Sequence, residues 1–165
     1  MKIIGFIGID NRVEMVLKGD SCLLNNRKPF FLPPQCKKMH VNPCIVLRIS
    51  RLGKHIAPKF AHRYYDGFAP GADFTDAELL QEARKTGGAW TQAIAFDYSL
   101  AVGEMSSEEP AVAGLLVAPE EAIAKASQVM TLRQGDLIYI QYQGEGRLVQ
   151  QEDVIEAEGL YCKIK

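Results

Sequence analysis

The sequence predicts an α+β protein, rich in strands and carrying two or three helices, in one domain over residues 1–165. Three observations carry this reading. Short apolar runs of strand composition recur along the chain, at residues 2–9, 44–49, 137–143, 153–156 and 160–164. Helix-start signals are few, the strongest standing at Thr75 and Pro119. Strands and helices do not alternate regularly and no glycine-rich phosphate loop follows a strand, which argues against a doubly wound parallel sheet.

Taken in order, residues 2–9 (KIIGFIGI) form a first strand. Asp10 or Asn11 then caps a short helix whose Val13, Val16 and Leu17 share one face, and Gly19 stops it. Residues 21–28 read as loop. The run at 29–32 is short or lies at a sheet edge, because Pro33 cannot donate to a central ladder. A strand follows over 44–49, with a turn at 50–53.

The stretch from Arg63 to Glu104 carries the most agreement between local signals. Thr75-Asp76-Ala77-Glu78 reads as a capping box, so a helix starts with Thr75 as its cap and turns Leu79, Leu80 and Ala83 inward. Gly87-Gly88 supplies a left-handed stop, and residues 89–96, with the single tryptophan, resume as an extended segment. A second helix begins at Pro119, with Glu120 and Glu121 near the positive end of its dipole and Ile123, Ala126 and Met130 on one stripe. Residues 133–136 form a turn into the strand 137–143, and Glu158-Gly159 joins the last two strands as a hairpin.

Composition bounds function more loosely. A formal net charge of -1 provides no field to draw the chain to nucleic acid or an anionic membrane, and no apolar run is long enough to cross a bilayer. The N-terminal run is cut off by Asp10, Asn11 and Arg12 with no cleavage site behind it, so a cytoplasmic protein is expected. Cys22, Cys36, Cys44 and Cys162 form no Cys-x-x-Cys pair, which argues against a zinc site and for reduced thiols.

The strings MKII, PFFLPP, GKHI, YYDGFAPGADFTDAEL, RKTGGAWTQAIAFD, VGE, ASQVMTLRQGDLI and IEAEGLYCKIK, in that order, resemble the fumarylacetoacetate hydrolase family of hydrolases, isomerases and decarboxylases acting on acylpyruvates and related 2-oxo acids. The resemblance implies a mostly β, mixed-sheet fold, a homodimer, and Mg²⁺ or Mn²⁺ held by a Glu-x-Glu pair and an aspartate. Of these ligands only the aspartate is kept, as Asp73. Asn42, Pro43 and Cys44 stand where Glu-x-Glu is expected, Ile94 and Pro33 replace two family lysines, and Met15 and Lys18 fall on the family's His-x-x-Glu acid/base pair. Ile140 to Gln143 replaces its Thr-Gly-Thr-Pro loop, and the hairpin after the central motif is missing, residues 106–119 running almost straight into the second helix.

A single aspartate holds Mg²⁺ weakly unless other oxygens converge on it. The expectation is therefore a degenerate member of the fold without the family's metal-dependent catalysis, serving as a binding or assembly module and using neither ion. The alternative is a divergent enzyme acting on a small 2-oxo or dicarboxylic acid with Mg²⁺ or Mn²⁺. Asp73 is the metal candidate, with a structural acceptor role for loop amides as the preferred reading. Trp90 and Asp97 are the substrate-binding candidates, against a core anchor and an acceptor of backbone hydrogen bonds. His40, His55 and His62 have no partner at ligand spacing; Glu14, Glu78 and Glu104 would rebuild a metal site only by converging in space.

Overall fold

A computed structural model describes residues 1–108, 110–144 and 146–165. Glu109, which falls within the 106–119 connection, and Glu145 lie outside the described residues. The chain forms β1 (Ile3–Ile9), β2 (Arg12–Lys18), β3 (Leu23–Asn25), β4 (Met39–Ile49), β5 (Tyr65–Asp76), α1 (Ala77–Thr86), α2 (Thr91–Ile94), β6 (Leu100–Val102), α3 (Pro119–Val129), β7 (Leu137–Gln141), β8 (Arg147–Leu148), β9 (Val154–Ala157) and β10 (Leu160–Lys163), with 3-10 turns at Asp20–Cys22 and Pro58–Arg63. This is the expected mostly β, mixed-sheet architecture. The main sheet has the order β2-β1-β7-β4-β5-β6-β3, with β8 also on β4, and β9 and β10 make a separate hairpin.

The β1–β7 and β3–β6 pairs are parallel, whereas β1–β2, β4–β5, β4–β7 and β5–β6 are antiparallel. The sheet is strongly curled, for a geometric reason. Its two edge strands are consecutive in sequence, and the five peptide steps from Lys18 to Leu23 reach at most about 17 Å. In a flat sheet those edges would stand about 29 Å apart, at ~4.8 Å per strand. The Lys18 ammonium at the end of β2 donates to the Ser99 carbonyl just before β6, beside the opposite edge.

Several expected elements are corrected. Residues 12–18 are a strand, not a helix. Asp10 and Asn11 sit at φ 47° and 60°, the left-handed pair of a two-residue hairpin turn, and not at a helix cap. The edge of β1 captures Arg12–Lys18 in register from Ile9↔Arg12 to Ile3↔Lys18. The segment 89–96 is not extended: it holds the one-turn helix α2. The cap of α1 is Asp76, whose carboxylate accepts from the Leu79 amide at 3.1 Å, one residue later than Thr75. Leu79 is 40 % exposed rather than inward. Residues 21–28 hold the second half of a 3-10 turn and the short β3, which lies parallel to β6.

β4 begins five residues before the expected start, in spite of Pro43. Pro43 pairs Ala72 in register on β5, and its carbonyl accepts from Tyr142 on the opposite side. Its missing N–H therefore faces the gap between the end of β7 and β8 and costs no bond to β5. The Gly87 stop (φ 72°) and the Gly159 turn (φ 80°) stand as expected.

The sheet is packed on both faces. Ile4, Phe6, Ile45, Leu47, Ile138 and Ile140 meet Ala122, Ile123 and Ala126 of α3 on one face. Ile3, Ile7, Val46 and Tyr139 lie on the other, where Leu80 of α1 and Trp90 close over them. Val41, Ala72 and Phe74 continue the core under the β9–β10 hairpin, and the Phe30 ring stacks on Phe74 at 3.9 Å. Each fully buried Ile or Phe contributes about 1.5–3 kcal/mol.

Candidate functional site

Asp73 lies on β5 opposite Asn42 of β4, on the face covered by α1 and α2, and it is 1 % exposed. A carboxylate so shut off from water must find donors. Lys18, at the end of β2, reaches across the curled sheet and sets Nζ 2.7 Å from Asp73 Oδ1. The same ammonium donates to the Ser99 carbonyl and hydroxyl, both at 3.0 Å, so three acceptors satisfy its three protons. It also stands 5.5 Å from the centre of the Tyr139 ring, an arrangement that favours the cation. Gly5 makes room for that ring, since a Cβ there would fall 2.2 Å from Tyr139 Cζ.

The second oxygen of Asp73 is taken as well. Gln141 at the end of β7 donates from Nε2 at 2.7 Å, while its Oε1 accepts from the Gly8 amide at 3.1 Å. The two bonds fix the orientation of the amide, because a carboxylate only accepts and an N–H only donates. Lys18, Asp73, Ser99 and Gln141 thus form a closed, buried polar network. Burial, then the Asp73 carboxylate, pushes the Tyr139 hydroxyl and the Cys44 thiol well above their ordinary pKa.

This network does not fit Mg²⁺ or Mn²⁺. Both oxygens of Asp73 already accept from protein donors, and a cationic ammonium occupies its approach. Asn42 offers only an amide nearby, and the neutral Cys44 thiol is a poor ligand for a hard cation. Among the described residues no group of three or more His, Cys, Asp or Glu is placed to hold a metal ion. Glu14 pairs with Arg12 and Glu78 with Lys38, while Glu104 accepts from Asn26, so the three acids do not converge.

An open cleft of about 1200 Å³ lies beside the network, and Gln141 is part of its wall. Arg12, Lys38, His40, Asn42 and Arg84 also line it, giving it cationic and amide donors for a small anion. Three of the cations share their charge with acids, Arg12 with Glu14, Lys38 with Glu78 and Arg84 with Asp10.

The structure places the sequence candidates unevenly. Asp73 is at the centre, accepting from side chains rather than from loop amides. Trp90 is half-buried against the core and lines a separate shallow groove with Val16, Leu17 and Ile94, away from the cleft. Asp97 is exposed in a turn with no hydrogen bond at its side chain among the described residues. His55 and His62 are exposed; His40 alone reaches the cleft. Ile94 is 4 % exposed and Met15 packs on the core, so both are apolar filling. Gln141 and Ser99 were not singled out by sequence reasoning, and Lys18 only as a family position. A local signal existed for Lys18: it ends a strand at two-residue spacing from Val16, on the inward face.

The pattern of the family described as fumarylacetoacetate (FAA) hydrolase, C-terminal, matches residues 8–115. The chain is 30% identical over 95 residues to a mitochondrial oxaloacetate tautomerase of Caenorhabditis elegans, a stretch covering 58% of this chain and 44% of that protein. It is 24% identical to the mitochondrial oxaloacetate tautomerase of Rattus norvegicus, over 87% of this chain and 74% of the rat protein. The chain thus spans less than half of the worm protein's length. Its fold is similar to the crystal structure of fumarylpyruvate hydrolase from Pseudomonas aeruginosa in complex with Mn²⁺ and pyruvate, with a TM-score of 0.76 at 17% identity, over 99% of this chain and 88% of that one.

Proposed function

Because the chain belongs to the fumarylacetoacetate hydrolase family, whose pattern covers residues 8–115, we propose that it is a degenerate member that binds a small carboxylic acid without the family's divalent metal. The observation that carries this reading is the occupation of Asp73. Its oxygens receive Lys18 and Gln141 at 2.7 Å each, so the ammonium supplies inside the fold the positive charge that a metal ion would bring. Unlike a metal, a lysine ammonium offers no open coordination position to a substrate oxygen, and its protons are spent on Asp73 and Ser99. The cleft beside it keeps the means to hold a carboxylate, through Arg12, Lys38, His40 and Arg84.

The test is a calorimetric titration of metal-stripped protein with Mn²⁺ and Mg²⁺, repeated on Asp73→Ala, followed by titration with oxaloacetate and pyruvate. The reading expects no saturable metal heat and saturable binding of an acid. Metal binding that Asp73→Ala abolishes would overturn it.

One observation favours a second reading, a divergent enzyme acting on a small 2-oxo acid. The relatives aligned with this chain are named oxaloacetate tautomerases, and the cleft persists next to the network. Oxaloacetate tautomerisation followed by ultraviolet absorbance in excess EDTA separates the two readings. A rate above the buffer rate, lost with Arg84→Ala or His40→Ala, would establish the enzyme.

A further inference from the structure

The near-zero net charge is unevenly laid out over the surface. Residues 51–63, between β4 and β5, hold Arg51, Lys54, Lys59 and Arg63 together with His55 and His62, and no acid. All six are exposed. Among the described residues none of the four cations forms an ion pair. Lys59 and Arg63 instead stand over the Phe60 ring, 4.9 and 5.1 Å from its centre.

The segment is a closed and pinned loop. The Ser50 amide donates to the Tyr64 carbonyl at 2.8 Å and joins its two ends. Gly53 and Leu132 exchange backbone bonds, and the amides of His55 and Ile56 donate to the carbonyl and hydroxyl of Ser127 near the end of α3. Ile56 and Ala61 anchor the loop in the core. Arg133 adds an exposed cation next to the Gly53–Leu132 pair, whereas the acids of α3, Glu120 and Glu121, lie in its first turn. A loop held in this way loses little freedom on binding.

Apolar side chains stand in water among these charges. Leu52 is 69% exposed, Phe60 42%, and Val129, two residues past Ser127, 64%.

We propose that this loop docks the protein on an anionic lipid surface, its cations meeting the headgroups while Leu52 and Phe60 enter the acyl boundary. Basic side chains interleaved with exposed apolar ones suit attachment at that interface. Each cation near an anionic bilayer strengthens binding about fivefold, and the field fades within about 8 Å, so a local patch acts whatever the net charge. An acidic peptide or a nucleic acid would answer the cations and leave Leu52 and Val129 in water. A stacked base would also compete for the Phe60 ring with Lys59 and Arg63.

Flotation of the full chain with vesicles of equimolar phosphatidylcholine and phosphatidylserine, set against pure phosphatidylcholine, tests the proposal. The anionic vesicles are expected to bind at least about tenfold more tightly. Lys54→Glu with Lys59→Glu weakens that binding at least about tenfold. Lys28→Glu with Lys37→Glu makes the same change in net charge at exposed residues outside the loop and stays within ~3-fold of the parent. Leu52→Asn with Phe60→Asn keeps every charge and weakens binding about fivefold or more. All these sites are exposed, so circular dichroism and the thermal midpoint stay near those of the parent. A parent that binds the two kinds of vesicle equally overturns the proposal. So do charge reversals inside and outside the loop that act equally. An apolar double variant that binds as the parent does makes the loop a general polyanion surface, which overturns it as well.

Discussion

Lys18 and Asp73, fifty-five residues apart in the chain, form an ion pair of 2.7 Å whose side chains are 0% and 1% exposed. A buried pair of this kind adds little net stability, since desolvation of the two charges offsets their attraction. Its physical weight lies in what happens when one partner is removed.

Lys18→Met leaves an uncompensated carboxylate beside Gln141 and is expected to cost about 3–5 kcal/mol in urea unfolding. Asp73→Leu strands the ammonium and costs a similar amount. The double variant Lys18→Met with Asp73→Leu removes both charges and is expected to lose well under the sum of the two. Additive losses in the double-mutant cycle would show that the pair is not coupled.

The filled metal position leads to a gain-of-binding experiment. Asn42 pairs Asp73 in register, and Cys44 lies two residues along β4 on the same face. Lys18→Ala with Asn42→Glu and Cys44→Glu clears the ammonium and adds two carboxylates beside Asp73. Those three acids repel without an ion, so Mn²⁺ is expected to raise the thermal midpoint of the triple variant and not that of the parent. A triple variant that folds yet shows no Mn²⁺-dependent shift would mean that Asp73 is not oriented toward those positions.

Asp136 links pH to stability at the other end of the sheet. It opens β7 with its carboxylate accepting from the Lys2 amide and from the Arg133 amide, each at 2.8 Å, and it pairs with the Lys2 ammonium. Burial works to raise its pKa, but the Lys2 contacts and the Arg133 amide outweigh it and hold the group below the ordinary carboxylate value. A depressed folded-state pKa contributes stability above the unfolded pKa of about 3.9 and loses it as pH falls through the folded value. Asp136→Asn is therefore expected to cost roughly 1.5–3 kcal/mol at neutral pH. Urea unfolding at several pH values should show that gap closing below about pH 4, and a gap that stays constant would assign the loss to packing.

What the sequence disclosed was mostly what neighbours along the chain decide. The strand Ile3–Ile9, the Gly87 stop, the Gly135 turn and the Gly159 hairpin rest on short-range rules, and each stands in the structure. Arg12–Lys18 was misread because Val13, Val16 and Leu17 also fit helical spacing, and Asp-Asn suits a cap as well as a left-handed turn. The free edge of β1 decided between them, and that edge is a tertiary fact. The site shows the same division. Asp73 stood out by resemblance, but its partners come from β2, β6's approach and β7, at separations of 55 residues for Lys18 and 68 for Gln141. Two-residue spacing from Val16 sets Lys18 on an inward face, but no local pattern names the acceptor it meets across a curled sheet.

Tyr139 offers a sharper look inside the same network. Its hydroxyl is fully buried, and among the described residues it has no hydrogen-bond partner. Asp73 acts on it from within the network, and both its oxygens already receive Lys18 and Gln141. A buried hydroxyl without a partner costs about 1–3 kcal/mol of desolvation. Tyr139→Phe keeps the ring over Gly5 and beside Lys18 while deleting that group, so it is expected to be neutral or to gain up to about 1 kcal/mol in urea unfolding. A loss above ~2 kcal/mol would instead reveal a buried water or a shared Asp73 oxygen bonded to the hydroxyl, and the network would then have five members.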